Sequence, residues 1–151
     1  MDIDQIIKET DSVMLMDFAA AKAYEQALGR VEFANDLRSH FVDFKNDHDR
    51  HIEVFAKKIR SLGHDPSPLE PSGDYLVRDL PAGTQVNNFE DVIKALYAIE
   101  LTTNKHYHEA LKLPLPYEYR DMFERNYQDE QRHLAYLKIA VAMLPVTTAA
   151  H

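Results

Sequence analysis

At 151 residues, 45% of them hydrophobic and 28% charged, the chain can bury a core of ordinary size. Its formal net charge of −8 disfavours nucleic acid and anionic membranes as partners. With no cysteine, disulfides, thiolate metal sites and iron–sulfur clusters are all excluded.

Glycine is scarce, and the seven prolines fall between residues 66 and 81, at 114 and 116, and at 145, leaving long stretches free of helix breakers. A first helix is predicted from roughly Asp4 to Val31, with Ile6, Val13, Ala20, Leu28 and Val31 near one face. Its most apolar part, Val13 to Leu28, carries Asp17, Lys22 and Glu25 and so is no membrane span. The acidic start Met1-Asp2-Ile3-Asp4 is unlike a secretory signal, and a cytoplasmic location is expected. A second helix follows from roughly Glu32 to Leu62, with Leu37, Phe41, Phe44, Ile52, Phe55, Ile59 and Leu62. A third begins near Asn88, which with Asp91 resembles a capping pair, and runs to about Leu113 through Phe89, Ile93, Leu96, Thr103 and Leu111. The fourth starts around Pro116, a favoured first-turn residue, and stops before Pro145, with Phe123, Leu134, Leu137, Val141 and Leu144 as its stripe.

The links between helices set the topology. Short ones, near Gly29 and at Leu113-Pro114-Leu115-Pro116, make antiparallel neighbours, whereas the stretch from about 63 to 87 is long enough to run back along a bundle. The expected fold is all-α: an antiparallel four-helix bundle of two helical hairpins joined by one long crossover, as a single domain over residues 1–151. Tyr75, Leu76 and Val77 in the crossover are expected to form an interface or to cover the way into a site.

Each apolar stripe is broken near its middle by ionisable residues. Asp17 falls between Val13 and Ala20, and His48 and His51 fall between Phe44 and Phe55. Glu100 lies between Leu96 and Thr103, and Glu130 and His133 between Phe123 and Leu137. A buried carboxylate is costly unless paired or metal-bound, and four helices here aim such groups at one depth. The constellation also repeats. Asp17-x6-Tyr24 matches Glu100-x6-Tyr107 at an offset of 83, and Asp47-His48-Asp49-Arg50-His51 matches Asp129-Glu130-Gln131-Arg132-His133 at an offset of 82. Residues three apart share a helix face and can reach one site, while a separation of seven returns Tyr24 and Tyr107 to the face of their acids as hydrogen-bond donors. Carboxylate with imidazole suits iron, manganese or zinc better than calcium or magnesium. A metal-bound imidazole hands its other N–H to a supporting group, for which Asp47 and Asp129 are the candidates. The rival arrangement is a buried salt-bridge cluster of these acids with Arg50 and Arg132. Asn104, one turn after Glu100, is a further candidate support, while His40, His106 and His108 are expected on solvated or interface faces.

At these residues the sequence resembles the ferritin-like, rubrerythrin-like superfamily of di-iron carboxylate proteins, whose pattern is one Glu from each of two helices and a Glu-x-x-His from each of the others. Glu130-x-x-His133 matches fully, Glu100 matches a lone Glu, Tyr107 resembles a tyrosine common in the rubrerythrin branch, and Asp17 stands in a lone-Glu place with a shorter side chain. The resemblance implies two metal ions, iron foremost, on Asp17, His48, His51, Glu100, Glu130 and His133. It also implies oxidation of Fe(II) or reduction of O2 or peroxide, and a possible homodimer. A non-catalytic metal-binding or stress-associated bundle is the alternative. The departure is His48, where the family has Glu: imidazole does not bridge two metals as a carboxylate does. Three carboxylates then face two divalent ions, so a bridging hydroxide completes the charge, the pair is unequal with one ion held loosely, or a single ion binds.

Overall fold

The computed structural model describes residues 1–145; residues 146–151 of the expected domain lie outside that description. It contains four long helices, α1 (Ile3–Arg30), α2 (Asn35–Ser61), α3 (Phe89–Ala110) and α4 (Tyr117–Ala142), and one short 3₁₀ turn, Tyr75–Val77, in the crossover. Local chemistry accounts for three of the boundaries. Asp2 and Gln5 form a reciprocal capping box at the start of α1, each bond 2.9 Å long. Asn88 accepts from the Asp91 N–H at 2.9 Å, as the sequence foretells. Gly63, at φ +80°, takes the left-handed position that ends α2, and the His64 N–H returns to the carbonyl of Ile59.

The second helix begins at Asn35 rather than near Glu32. Residues 31–34 are spent turning the chain so that Phe33 folds inward, where its ring meets Phe41 at 5.0 Å and Phe89 at 5.6 Å. That burial, worth roughly 1.5–3 kcal/mol for a side chain of this size, fixes the corner.

The bundle contains two apolar clusters. At one end the late part of α1 (Ala20 to Ala27), the early part of α2 (Phe41, Phe44), the early part of α3 (Val92 to Ile99) and Leu137 of α4 pack together. At the other, Ile6, Val13 and Met14 of α1 meet Phe55, Tyr107, Ala110, Tyr119 and Phe123. Late α1 against early α3 makes those helices antiparallel, so the crossover does return along the bundle. Tyr75 and Leu76 are buried in the first cluster, Tyr75 meeting Phe18 edge-on at 6.2 Å and taking Gln26 as acceptor for its N–H at 2.8 Å. Of the two expectations for the crossover, an outer interface is ruled out for Tyr75 and Leu76, which fill the groove over α1 and α3. No helix among the described residues is long and apolar enough to cross a membrane.

Candidate metal centre

Between the two apolar clusters lies a layer of charge. Asp17, His48, His51, Glu100, Glu130 and His133 each have no exposed surface. The structure brings together all six residues that the sequence singles out, one or two from the middle of each helix.

They form two groups that share His48 and Glu130: Asp17, His48, His51 and Glu130 on one side, and His48, Glu100, Glu130 and His133 on the other. On the first side, Asp17 Oδ1 lies 2.8 Å from His48 Nδ1 and 3.0 Å from His51 Nδ1. Glu130 Oε1 lies 3.2 and 3.1 Å from those same nitrogens. Two nitrogens and two oxygens thus alternate around a closed ring. A tetrahedral shell with bonds of about 2.0–2.1 Å has edges of roughly 3.3–3.4 Å, so the ring is a little tighter than a bound ion would make it. On the second side, His48 Nε2 is 2.9 Å from Glu100 Oε1. His133 Nδ1 lies 3.4 Å from that same oxygen and 3.5 Å from Glu130 Oε2.

The supporting groups cross from one helical hairpin to the other. Nε2 of His51, on α2, meets Asp129 Oδ2 of α4 at 2.8 Å, and Nε2 of His133, on α4, meets Asp47 Oδ2 of α2 at 2.8 Å. Tyr24 of α1 donates to Glu100 of α3 at 2.7 Å, and Tyr107 of α3 donates to Asp17 of α1 at 2.5 Å. The sequence names these four residues but not the exchange, because adjacency along the chain says nothing about the helix a side chain faces. With Nε2 turned outward to a carboxylate, His51 and His133 each present Nδ1 to the interior, the orientation a metal-ligating imidazole needs.

Burial opposes charge on Asp17, Glu100, Asp47 and the imidazoles of His48, His51 and His133, yet their mutual attraction prevails. Burial alone would raise Asp17, but hydrogen bonds from His48 and His51 hold it well below the usual carboxylate range. Glu100 is held low against burial by His48 and His133, and Asp47 by His133 and Arg132. Burial would lower the imidazoles; instead Asp17 and Glu130 lift His51 to about 9, Glu100 and Asp47 lift His133 to about 10, and Glu130 and Glu100 lift His48 well above its ordinary value. Burial and the charge of Glu100 push the Tyr24 hydroxyl up, as burial and Asp17 do for Tyr107, so both remain donors.

Three carboxylates out of water call for cations, which can be protons on the imidazoles or metal ions. Protons leave the layer incompletely satisfied. Glu100 Oε2, Glu130 Oε2 and His133 Nδ1 are buried without a hydrogen-bond partner. Each such atom costs about 1–3 kcal/mol, and all three belong to the second group, where an ion would take them as ligands. The donor set therefore fits a metal.

Arg50 and Arg132 take no part in the buried layer. They lie outside it, half exposed, Arg50 reaching Asp47 at 3.1 Å and Asp129 at 2.6 Å, Arg132 reaching Asp47 at 2.9 Å and Asp129 at 3.1 Å. From solvent inward the order along the α2–α4 face is arginine, aspartate, histidine, acid, and the salt-bridge arrangement weighed from sequence applies to the outer aspartates alone. Asn104 bonds the backbone carbonyls of Glu100 and Glu130 at 2.8 and 2.9 Å, tying α3 to α4 at the height of the centre. Asn126, buried one helical turn before Glu130 with its amide nitrogen unpartnered, was not found from sequence; its place four residues before a candidate ligand was the available signal. His40 stacks on Tyr136 with ring centres 4.1 Å apart, His106 reaches Ser12 at 3.1 Å, and His108 is exposed; none joins the centre.

No protein-family model matches the sequence, and no curated protein does. Among solved structures, one described as ferritin like, diiron-carboxylate proteins from Bacillus anthracis str. Ames is similar to this chain, with 19% sequence identity and a TM-score of 0.72 over 93% of this chain and 99% of that one. At this identity the likeness is one of fold, and the fold is ferritin-like.

Proposed function

With the ferritin-like fold as premise, we propose that the protein binds two divalent metal ions, iron foremost, on Asp17, His48, His51, Glu100, Glu130 and His133, and that it uses them to oxidise Fe(II) or to reduce O2 or peroxide. The observation that carries this reading is the pair of buried nitrogen–oxygen groups sharing His48 and Glu130. Iron held there would supply the electrons for reduction of a small oxidant. The protein's own residues do the rest. Asp129 and Asp47 fix the tautomers of His51 and His133; Tyr107 and Tyr24 hold Asp17 and Glu100 in place by donating to them; the apolar clusters above and below keep water out. Because none of the six side chains reaches the surface, reactants of a few atoms suit the centre better than an organic substrate.

The test is anaerobic loading with ferrous iron followed by a pulse of oxygen or peroxide. The expected outcome is oxidant consumption in step with the rise of ferric absorbance. Iron that binds but stays ferrous would reject turnover, and iron that does not bind would reject the metal reading. A second reading is favoured by the three imidazoles: zinc or manganese held without turnover, for stability. It predicts a large rise in melting temperature with metal and no oxidant consumption.

A further inference from the structure

The sequence marks His48 as the departure from a carboxylate-rich pattern, and the structure gives that residue an unusual place. Among the described residues, it is the only one of the three buried imidazoles whose two ring nitrogens both face carboxylates of the layer. Nδ1 meets Asp17 at 2.8 Å and Glu130 Oε1 at 3.2 Å, within the first group; Nε2 meets Glu100 at 2.9 Å, within the second. His51 and His133, by contrast, each give one nitrogen to an outer aspartate. The ring itself is pinned: it stacks on Tyr24 with centres 5.7 Å apart and lies 5.0 Å from the ring of His133. Glu130 is divided in the same sense, Oε1 toward His48 and His51 and Oε2 toward His133.

We infer that His48 is a spacer: the two groups are separate pockets set back to back on opposite edges of its ring, so that a pair of ions is held apart at a distance set by the imidazole, with Glu130 spanning the pair at that wider separation. The inference rests on the metal reading above and specifies it. Carboxylate-bridged two-metal sites hold their ions roughly 3.5–4 Å apart. Ions bound at the two nitrogens of one imidazole, with bonds of about 2.0–2.1 Å each, lie roughly 6 Å apart. A neutral ring carries one N–H, so filling the second pocket releases that proton to solvent as the second metal–nitrogen bond forms. Glu130 can follow because its two oxygens already point to different pockets. The wider spacing lets each ion keep its own imidazole, His51 or His133, and its own acid, Asp17 or Glu100.

Anomalous diffraction from crystals of the whole chain saturated with Mn(II) tests this. Wild-type protein is expected to show two peaks flanking His48 at a separation of about 6 Å. Peaks 3.5–4 Å apart, or a single peak at saturation, would overturn the spacer. No peak among the six residues would instead overturn the metal reading on which it rests. His48→Glu is expected to shorten the separation by about 2 Å; an unchanged separation would show that something other than the ring sets it. His48→Gln, close in size to that glutamate but neutral and without two opposed nitrogens, should retain only one ion per chain by elemental analysis. Two ions at the wild-type spacing in that variant would equally reject the inference.

Discussion

The two groups of the centre hold equivalent residues at nearly constant offset, yet their surroundings differ. Around the first, Asp17, His51 and the shared residues close a ring of short contacts, 2.8 to 3.2 Å, with every atom of the ring partnered. Around the second the distances open to 3.5 Å and three polar atoms are left without partners. The packing beside them differs too: Phe44 lies over His133 with ring centres 4.2 Å apart, whereas its counterpart 82 positions on is the polar Asn126. Equal spacing along the helices therefore reproduces the ligands but not the strength with which protons alone can satisfy them. The first group partners every atom of its ring internally, while the second leaves Glu100 Oε2, Glu130 Oε2 and His133 Nδ1 unpartnered.

The sharpest way to break that contrast is to remove the shared acid and then each private one. Glu130→Gln should empty both pockets together, the metal-to-chain ratio by elemental analysis falling toward zero. Asp17→Asn should empty only the first and Glu100→Gln only the second, each leaving about one ion. Loss of both ions from either single change would mean that the pockets do not bind independently. The exchange of supports comes next. Asp47→Asn should weaken the second pocket and Asp129→Asn the first, each by about 10–100-fold in metal affinity measured by competition with a chelator. Pairing Asp47→Asn with Glu100→Gln should add little to the second change alone, while pairing it with Asp17→Asn should add its full effect.

Proton and metal can also be set against each other through pH. His51 and His133 are raised to about 9 and about 10 from an ordinary value near 6.5, so in metal-free protein their protons stabilise the fold fully below about pH 6.5, and that contribution disappears as pH rises through 9 to 10. Asp17 and Glu100, both lowered, contribute above about pH 4 and lose their contribution as pH falls below it. The melting temperature of metal-free protein should accordingly fall between pH 7 and 10, and metal-loaded protein should fall less; parallel curves would count against metal taking the protons' place. The smallest effect concerns the tyrosines. Tyr107→Phe strips Asp17 Oδ2 of its donor and should cost about 1–3 kcal/mol by denaturant unfolding. Tyr24→Phe should cost less, because Glu100 Oε1 keeps His48 as a partner.

Much of this was legible in the chain because helical periodicity and breaker placement act locally. The stripes through Phe41, Phe44, Phe55, Ile93, Leu96, Phe123 and Leu137 are all buried, and the acids and histidines that interrupt them converge. Three things were not legible, each for a non-local reason. The start of α2 depends on Phe33 finding Phe41 and Phe89 across the bundle. The exchange of Asp47 and Asp129 between hairpins depends on which way two helices face. The division of His48 between two pockets depends on where four helices place their carboxylates around one ring.

That exchange has a consequence for the molecule as a construction of two hairpins. Neither hairpin carries a finished pocket: the first holds Asp17, His48 and His51 but borrows Asp129, Glu130 and the Tyr107 hydroxyl, and the second is indebted to its neighbour in the same way. A backbone nick at the exposed Pro81–Gly83 stretch would leave two fragments, each with ionised groups that no water-free surface of its own can satisfy. Reassociation would then be driven by matching charges as well as by oil-like faces, and would tolerate only the native pairing in which each fragment completes the other.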